Sequence, residues 1–156
     1  MAIPHSLEQF LHTHRIAYDV VSHPRTESAQ RTAAAAHVPG DRLAKSVILE
    51  DDNGYVMAVI PSTHRLDLGK LHHQTQRILG LAVEQELTDL FTDCDPGAVP
   101  PVGAAYGIDT IVDDALMEQP EVYLEAGDHE ELIHVDRAQF ETLMNGAARG
   151  QISHHS

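Results

Sequence analysis

The chain has 156 residues and no tryptophan, and its aromatics are three phenylalanines and four tyrosines. Aliphatic side chains must therefore build the core. The single cysteine, Cys94, excludes an internal disulfide framework and fits a reducing, cytoplasmic setting. No apolar run approaches the roughly 18 residues that a membrane span needs. The opening segment, MAIPHSLEQF, lacks the basic-then-apolar pattern of a secretory signal. No Gly-rich turn follows the first expected strand and no G-x-x-x-x-G-K-[ST] occurs, which excludes the doubly wound nucleotide folds and the P-loop. No G-x-S-x-G elbow is present, so a serine nucleophile has no support. His12-x-His14, His72-His73 and His154-His155 form close pairs. None has the spacing of a zinc site. Neither a metal nor another cofactor is expected, and a metal-dependent hydrolase ranks last among the functional readings.

Positive charge is scarce as well. Ten Lys and Arg stand against 24 Asp and Glu, a formal net charge of −14. That balance argues against a general DNA or RNA binder. The charges are unevenly spread. Residues 1–77 carry eight basic groups against eight acids, whereas residues 78–136 carry fifteen acids and no Lys or Arg. A polyanion would meet the first half. The second half reads as a solvated acidic face or as a dock for a basic protein.

What is present reads as one domain without repeats or linkers, over residues 1–150, with 151–156 as a frayed tail. Leu7, Phe10 and Leu11 share one helical face behind Ser6 as a cap. A strand is expected from Ile16 to Val21 and an alanine-rich helix from 26 or 27 to His37. Arg42 to Leu49 and Tyr55 to Ile60 read as strands joined by a tight turn at 51-DDNG-54. A helix entered at Asp67 follows, then a strand over 78–83 and a helix over 84–91. After a Gly/Pro loop come strands near 108–112, 122–125 and 132–135, and a last helix from Asp136 to Met144. Hairpins mixed with helical crossovers imply a mixed sheet with helices around it, an α/β fold.

Three features carry chemistry. Lys45, one of only two lysines, sits in an apolar strand, where alternation puts it on the face of Leu43, Val47 and Leu49. Either its alkyl stem covers apolar surface while the ammonium reaches water, or it stands at a pocket mouth and grips an oxygen of a ligand. The segment Gly97-Ala98-Val99-Pro100-Pro101-Val102-Gly103 is stiff. It serves either as a structural turn or as a row of backbone N–H groups for a carbonyl or hydroxyl. Gly127 ends a strand-like run and His129 follows in a polar turn, as a solvated side chain or as a ligand and proton carrier.

In this order and spacing, 41-DRLAKSVIL-49, 54-GYVMAVIPSTHRLDLGKL-71, 97-GAVPPVG-103 and 122-VYLEAGDHEELI-133 resemble the YbaK family. These are deacylases related to the editing domain inserted in bacterial prolyl-tRNA synthetases, and the resemblance runs from about His23 to Leu143. It implies a single compact domain on a mixed, barrel-like sheet surrounded by helices. It implies a trans-acting, metal-independent hydrolase that cleaves the ester of a mischarged tRNA, with a small amino acid on a tRNA such as tRNA-Pro, and with a synthetase as a further partner. On this resemblance Lys45 and His129 are the catalytic pair. Ser46, the loop residues Gly97, Ala98, Val99, Pro100, Pro101 and Gly103, and Gly127 bind substrate. The alternative is a non-catalytic module that binds a tRNA 3′ end or a synthetase.

Overall fold

The computed structural model describes residues 3–24, 29–94, 99–128 and 130–155. The elements run α1 (His5–Thr13), β1 (Asp19–Ser22), α2 (Ala29–Ala36), β2 (Leu43–Asp51), β3 (Gly54–Pro61), β4 (His64–Leu66), α3 (Leu68–Thr75), β5 (Gly80–Leu81) and α4 (Glu84–Leu90). They continue with β6 (Asp109–Asp113), α5 (Asp114–Met117), β7 (Glu121–Glu125), β8 (Glu131–Asp136), α6 (Arg137–Leu143), β9 (Ala148–Gly150) and β10 (Ser153–His155). The main sheet has the order β1-β8-β7-β2-β3-β6-β9, with β5 added on β2, and β10 pairs with β4 in a separate ribbon. β2 runs parallel to β7, and β6 runs parallel to both β3 and β9. The other pairs are antiparallel. The mixed sheet with helices around it is the α/β architecture that the order of elements implies.

Strand alternation divides the core in two. Ala44, Ile48, Met57, Val59, Val112, Leu124 and Ile133 face one side, under α1, Phe91, Val102 and α6. On the opposite side there are two smaller clusters. Leu49, Val56, Ala58 and Ile60 lie under Leu71 of α3 and Ile152. Leu43 and Leu132 lie under Ala33 of α2. The two covers do not merge, and Lys45 falls between them.

Several expected boundaries move for local reasons. Ser6 is not the cap of α1: Pro4 occupies that position without a side-chain hydrogen bond, and the Ser6 N–H donates instead to Asp93. Ile16 is not in β1. Arg15 takes a left-handed conformation (φ 53°), and the N–H groups of Arg15 and Ile16 donate to His12 O and Leu11 O. This pair of bonds closes a helix by folding the next apolar residue back onto it. The expected strand over 78–83 shrinks to Gly80–Leu81. The turn of the long hairpin is Asp52-Asn53, closed by the Asp51–Gly54 pair. Asp67 and Asp136 do cap α3 and α6, accepting from Lys70 N and Gln139 N. The closing residues are no frayed tail: Ser153, His154 and His155 pair with Leu66, Arg65 and His64. Buried Asp113 fastens them, accepting from Ser153 Oγ at 2.7 Å and Ile152 N at 3.1 Å.

Candidate functional site

The site begins with an interruption in the sheet. β2 pairs with β7 at Leu43 and Ala44, and with β5 at Leu49 and Glu50. Among the described residues its edge carries no strand partner between these two ladders. Lys45 and Ser46 stand in that gap, pointing to opposite faces.

Ser46 faces the larger core. Its hydroxyl donates to Val99 O at 3.1 Å, so the strand holds the start of the proline pair. Val99, Pro100, Pro101, Val102 and Gly103 are all buried. The Val102 N–H donates to Pro100 O at 2.8 Å, which tightens the bend. Gly103 is needed by close approach: a Cβ there would lie 2.1 Å from Thr110 Oγ1 and 2.8 Å from Ile108 O. A hollow of about 230 Å³ opens beside this contact, lined by Ser46, Val47, Ile48, Leu81, Ala82, Leu87 and Val99. It is an apolar recess with one hydroxyl.

Lys45 lies on the other face, opposite Ile60 of β3. It is half-buried, and the resulting desolvation lowers its pKa, with a further push from the charge of Arg65. Its ammonium makes no hydrogen bond or ion pair with a described residue. That is unusual in a chain so rich in carboxylates. Arg42 pairs with Glu121 at 2.8 Å and Arg77 grips Asp51 with two nitrogens. The structure therefore joins Ser46 to Val99 and sets Lys45 on the opposite face of β2. Gly97, Ala98 and His129 lie outside the described residues.

Gly127 leaves β7 with φ +95°, and a Cβ there would come within 2.4 Å of Pro4 Cγ. The next residue, Asp128, is buried, and its Oδ1 accepts from Glu130 N and Glu131 N, both at 3.0 Å. This Asx-type turn shapes the connection from β7 to β8. The His23 N–H donates to Glu130 O at 2.8 Å and ties β1 to the same bend. Glu125, at the end of β7, is 3% exposed. Burial pushes its carboxyl up to about 7, against a hydrogen bond from Thr32 and with help from the charge of Asp128. Sequence reasoning missed Arg65, Asp128 and Glu125. The Gly-Asp pair was a usable turn signal for Asp128. Glu125 follows the alternation of Val122 and Leu124 and gives no separate sign of its burial.

A family model, the aminoacyl-tRNA editing domain, matches residues 23–143. The chain belongs to this family. The editing domain is similar to several solved structures. One is a candidate trans-editing enzyme for prolyl tRNA synthetase, 25% identical, with TM-score 0.82 over 96% of this chain and 95% of that one. Another is the hypothetical protein APE2540, 22% identical, with TM-score 0.83 over 96% and 99%. A third is a candidate signal transduction protein from Marinobacter aquaeolei VT8, 22% identical, with TM-score 0.79, where the match covers 97% of this chain and 31% of that one. The second and third likenesses show the fold alone. Comparison with curated protein sequences gave no match. No helix among the described residues is long and apolar enough to cross a membrane.

Proposed function

We propose that the chain is a trans-acting aminoacyl-tRNA deacylase. It hydrolyses the ester between a small, wrongly attached amino acid and the 3′ end of a tRNA such as tRNA-Pro. The observation that carries this reading is Lys45: a half-buried ammonium without a described protein partner, in a gap of the sheet of an editing domain. A partly desolvated charge of this kind is relieved when a ligand anion meets it.

An aminoacyl ester is already activated, so the protein has to position one water and stabilise an oxyanion. In this reading Lys45 holds the terminal phosphate or the ester carbonyl. The aminoacyl group passes through the gap in the sheet from the Lys45 face to the Ser46 face, where the 97–103 segment and Ser46 fix it and the apolar recess beside them limits its size. Gly127 lets the chain turn so that His129 can orient the substrate or pass a proton. Water adds to the carbonyl carbon, the bond from that carbon to the ribose oxygen breaks, and the proton of the water ends on the ribose hydroxyl. No metal enters the scheme. The reaction belongs to the cytoplasm, and a synthetase that makes the error is the natural partner.

The test uses the purified chain and Lys45→Ala on a panel of mischarged tRNAs, following release of labelled amino acid with and without a chelator. The expected result is release by the parent chain, unaffected by chelation and lost in the variant. Equal release by both chains overturns the role of Lys45. Affinity for tRNA without release by the parent would make the chain a binding module.

A further inference from the structure

Asp93, Cys94 and Tyr106 have no place in the scheme above. They flank the stiff segment. Asp93 and Cys94 precede it in the chain, and Tyr106 follows it at the end of a short 3-10 turn, Gly103–Tyr106. Their polar atoms form a triangle. The Tyr106 hydroxyl donates to Asp93 Oδ1 at 3.2 Å, and the Cys94 thiol donates to the same oxygen at 3.4 Å. The sulfur and the hydroxyl oxygen lie 3.2 Å apart. The Tyr106 ring stands edge-on to Phe91, with centroids 4.8 Å apart, and Phe91 is buried in the same core cluster as Val102. Ser46 holds the other end of the segment through Val99 O.

The second oxygen of Asp93 serves α1. Oδ2 accepts from Ser6 N at 3.2 Å, in the first turn of a helix whose own cap, Pro4, makes no side-chain bond. An anion there satisfies an orphan donor and meets the positive end of the helix dipole. Burial pushes the Asp93 carboxyl up, but the bonds from Ser6, Cys94 and Tyr106 outweigh it and hold it below the ordinary 3.8. The same group reaches the turn after β7. A Cβ on Gly127 would lie 3.5 Å from Cys94 Sγ, beside its approach to Pro4, so the backbone of that turn lies against the thiol and the residue that opens α1. One carboxylate thus stands at the junction of three pieces far apart in sequence: the 99–103 segment, the Gly127 turn and the start of α1. Hydrogen bonds that share one acceptor in a partly buried place act as a unit.

We propose that Asp93 is a positioning residue of the deacylase site, acting through Tyr106 and Cys94 to fix the 99–103 segment and the Gly127 turn relative to one another. The proposal rests on the deacylase reading for its reaction and deepens it by naming what sets the geometry of the substrate-binding segments. Asp93 touches no reacting atom. The aminoacyl group feels it only through the placement of the segment that holds the group.

The experiment uses the full chain, Asp93→Ala, Tyr106→Phe and the double variant. Amide hydrogen exchange at Val102, which donates to Pro100 O, and at Glu130, which donates to Asp128 Oδ1, reads the two segments. Both amides should exchange severalfold faster in each single variant, while amides in the middle of the β2–β3 hairpin keep the parent's rate. On alanyl-tRNA, KM should rise severalfold with kcat little changed, because a looser segment weakens binding. A chain that is merely less stable loses active molecules, which lowers kcat at constant KM. The double variant should be no worse than Asp93→Ala alone, since Tyr106 acts through that carboxylate. Unchanged exchange at Val102 and Glu130 overturns the proposal. So does a loss of kcat at the parent's KM, or an additive loss in the double variant. A parent that releases no amino acid overturns the deacylase reading, and the exchange rates then decide separately whether Asp93 fixes the two segments.

Discussion

The hydroxyl of Ser46 donates to the carbonyl of Val99 at 3.1 Å, and this one bond joins the unpaired stretch of β2 to the stiff loop. Val99 is buried, so its carbonyl has little access to water when the donor is removed. Leaving a buried acceptor unsatisfied costs about 1–3 kcal/mol. Ser46→Ala should lower the urea midpoint by a corresponding amount and raise KM for a small aminoacyl ester. Ser46→Thr, which keeps the hydroxyl, should recover most of both. Paired urea melts and deacylation kinetics read the outcome.

Lys45 should separate stability from activity. Replacing a desolvated charge by an apolar chain of similar length removes a cost, so Lys45→Met should melt at the same temperature as the parent or higher. Removing a donor that stabilises developing negative charge costs about two orders of magnitude in rate, and kcat/KM should fall on that scale. The folded pKa of Lys45 lies below the ordinary 10.5. Between those values the unfolded chain holds more protons, so stability rises with pH there. The variant should lose that rise, as measured by denaturant melts across the alkaline range.

Glu125 should leave a signature on the acid side of neutrality. Its carboxyl is raised from 4.5 to about 7 in the fold, first by burial. The folded chain therefore binds more protons than the unfolded one in that window. The contribution is fully present below 4.5 and is lost as pH rises through about 7. Glu125→Gln should flatten the decline in stability between these values. Melts at pH 5 and pH 8 should converge for the variant compared with the parent.

Gly127→Ala tests the turn that follows β7. The left-handed φ of +95° and the 2.4 Å approach to Pro4 Cγ act together. Backbone strain at such a position costs of order 1–3 kcal/mol before any clash is counted. The variant should be destabilised by at least about 2 kcal/mol and should release amino acid more slowly, because the bend must shift. A urea midpoint equal to that of the parent would refute the account of this turn.

Much of the frame was legible because it rests on local rules. Alternation placed Lys45 with Leu43, Val47 and Leu49. Asp67 and Asp136 announced their helices through their side chains. Other features needed three dimensions. Ile16 reads as strand until the left-handed Arg15 turns it back onto α1. The Ser-His-His near the C-terminus reads as tail until β4 and Asp113 receive it. At the site, the sequence pattern named the segment around Val99 and the residue Ser46 that holds it. That Ser46 and Lys45 serve opposite faces of one strand matters only once the sheet is seen to part between them.

That parting has a further consequence. The width of the opening is fixed by where two sets of backbone contacts stop, at Ala44 on one side and at Ile48, whose carbonyl accepts from Ala82 N, on the other. Extending or trimming either neighbour by a residue would resize the doorway while the interior layers stay as they are. Under the proposed deacylase reading, the size limit on the substrate would then be set at the ends of short strands rather than in the core.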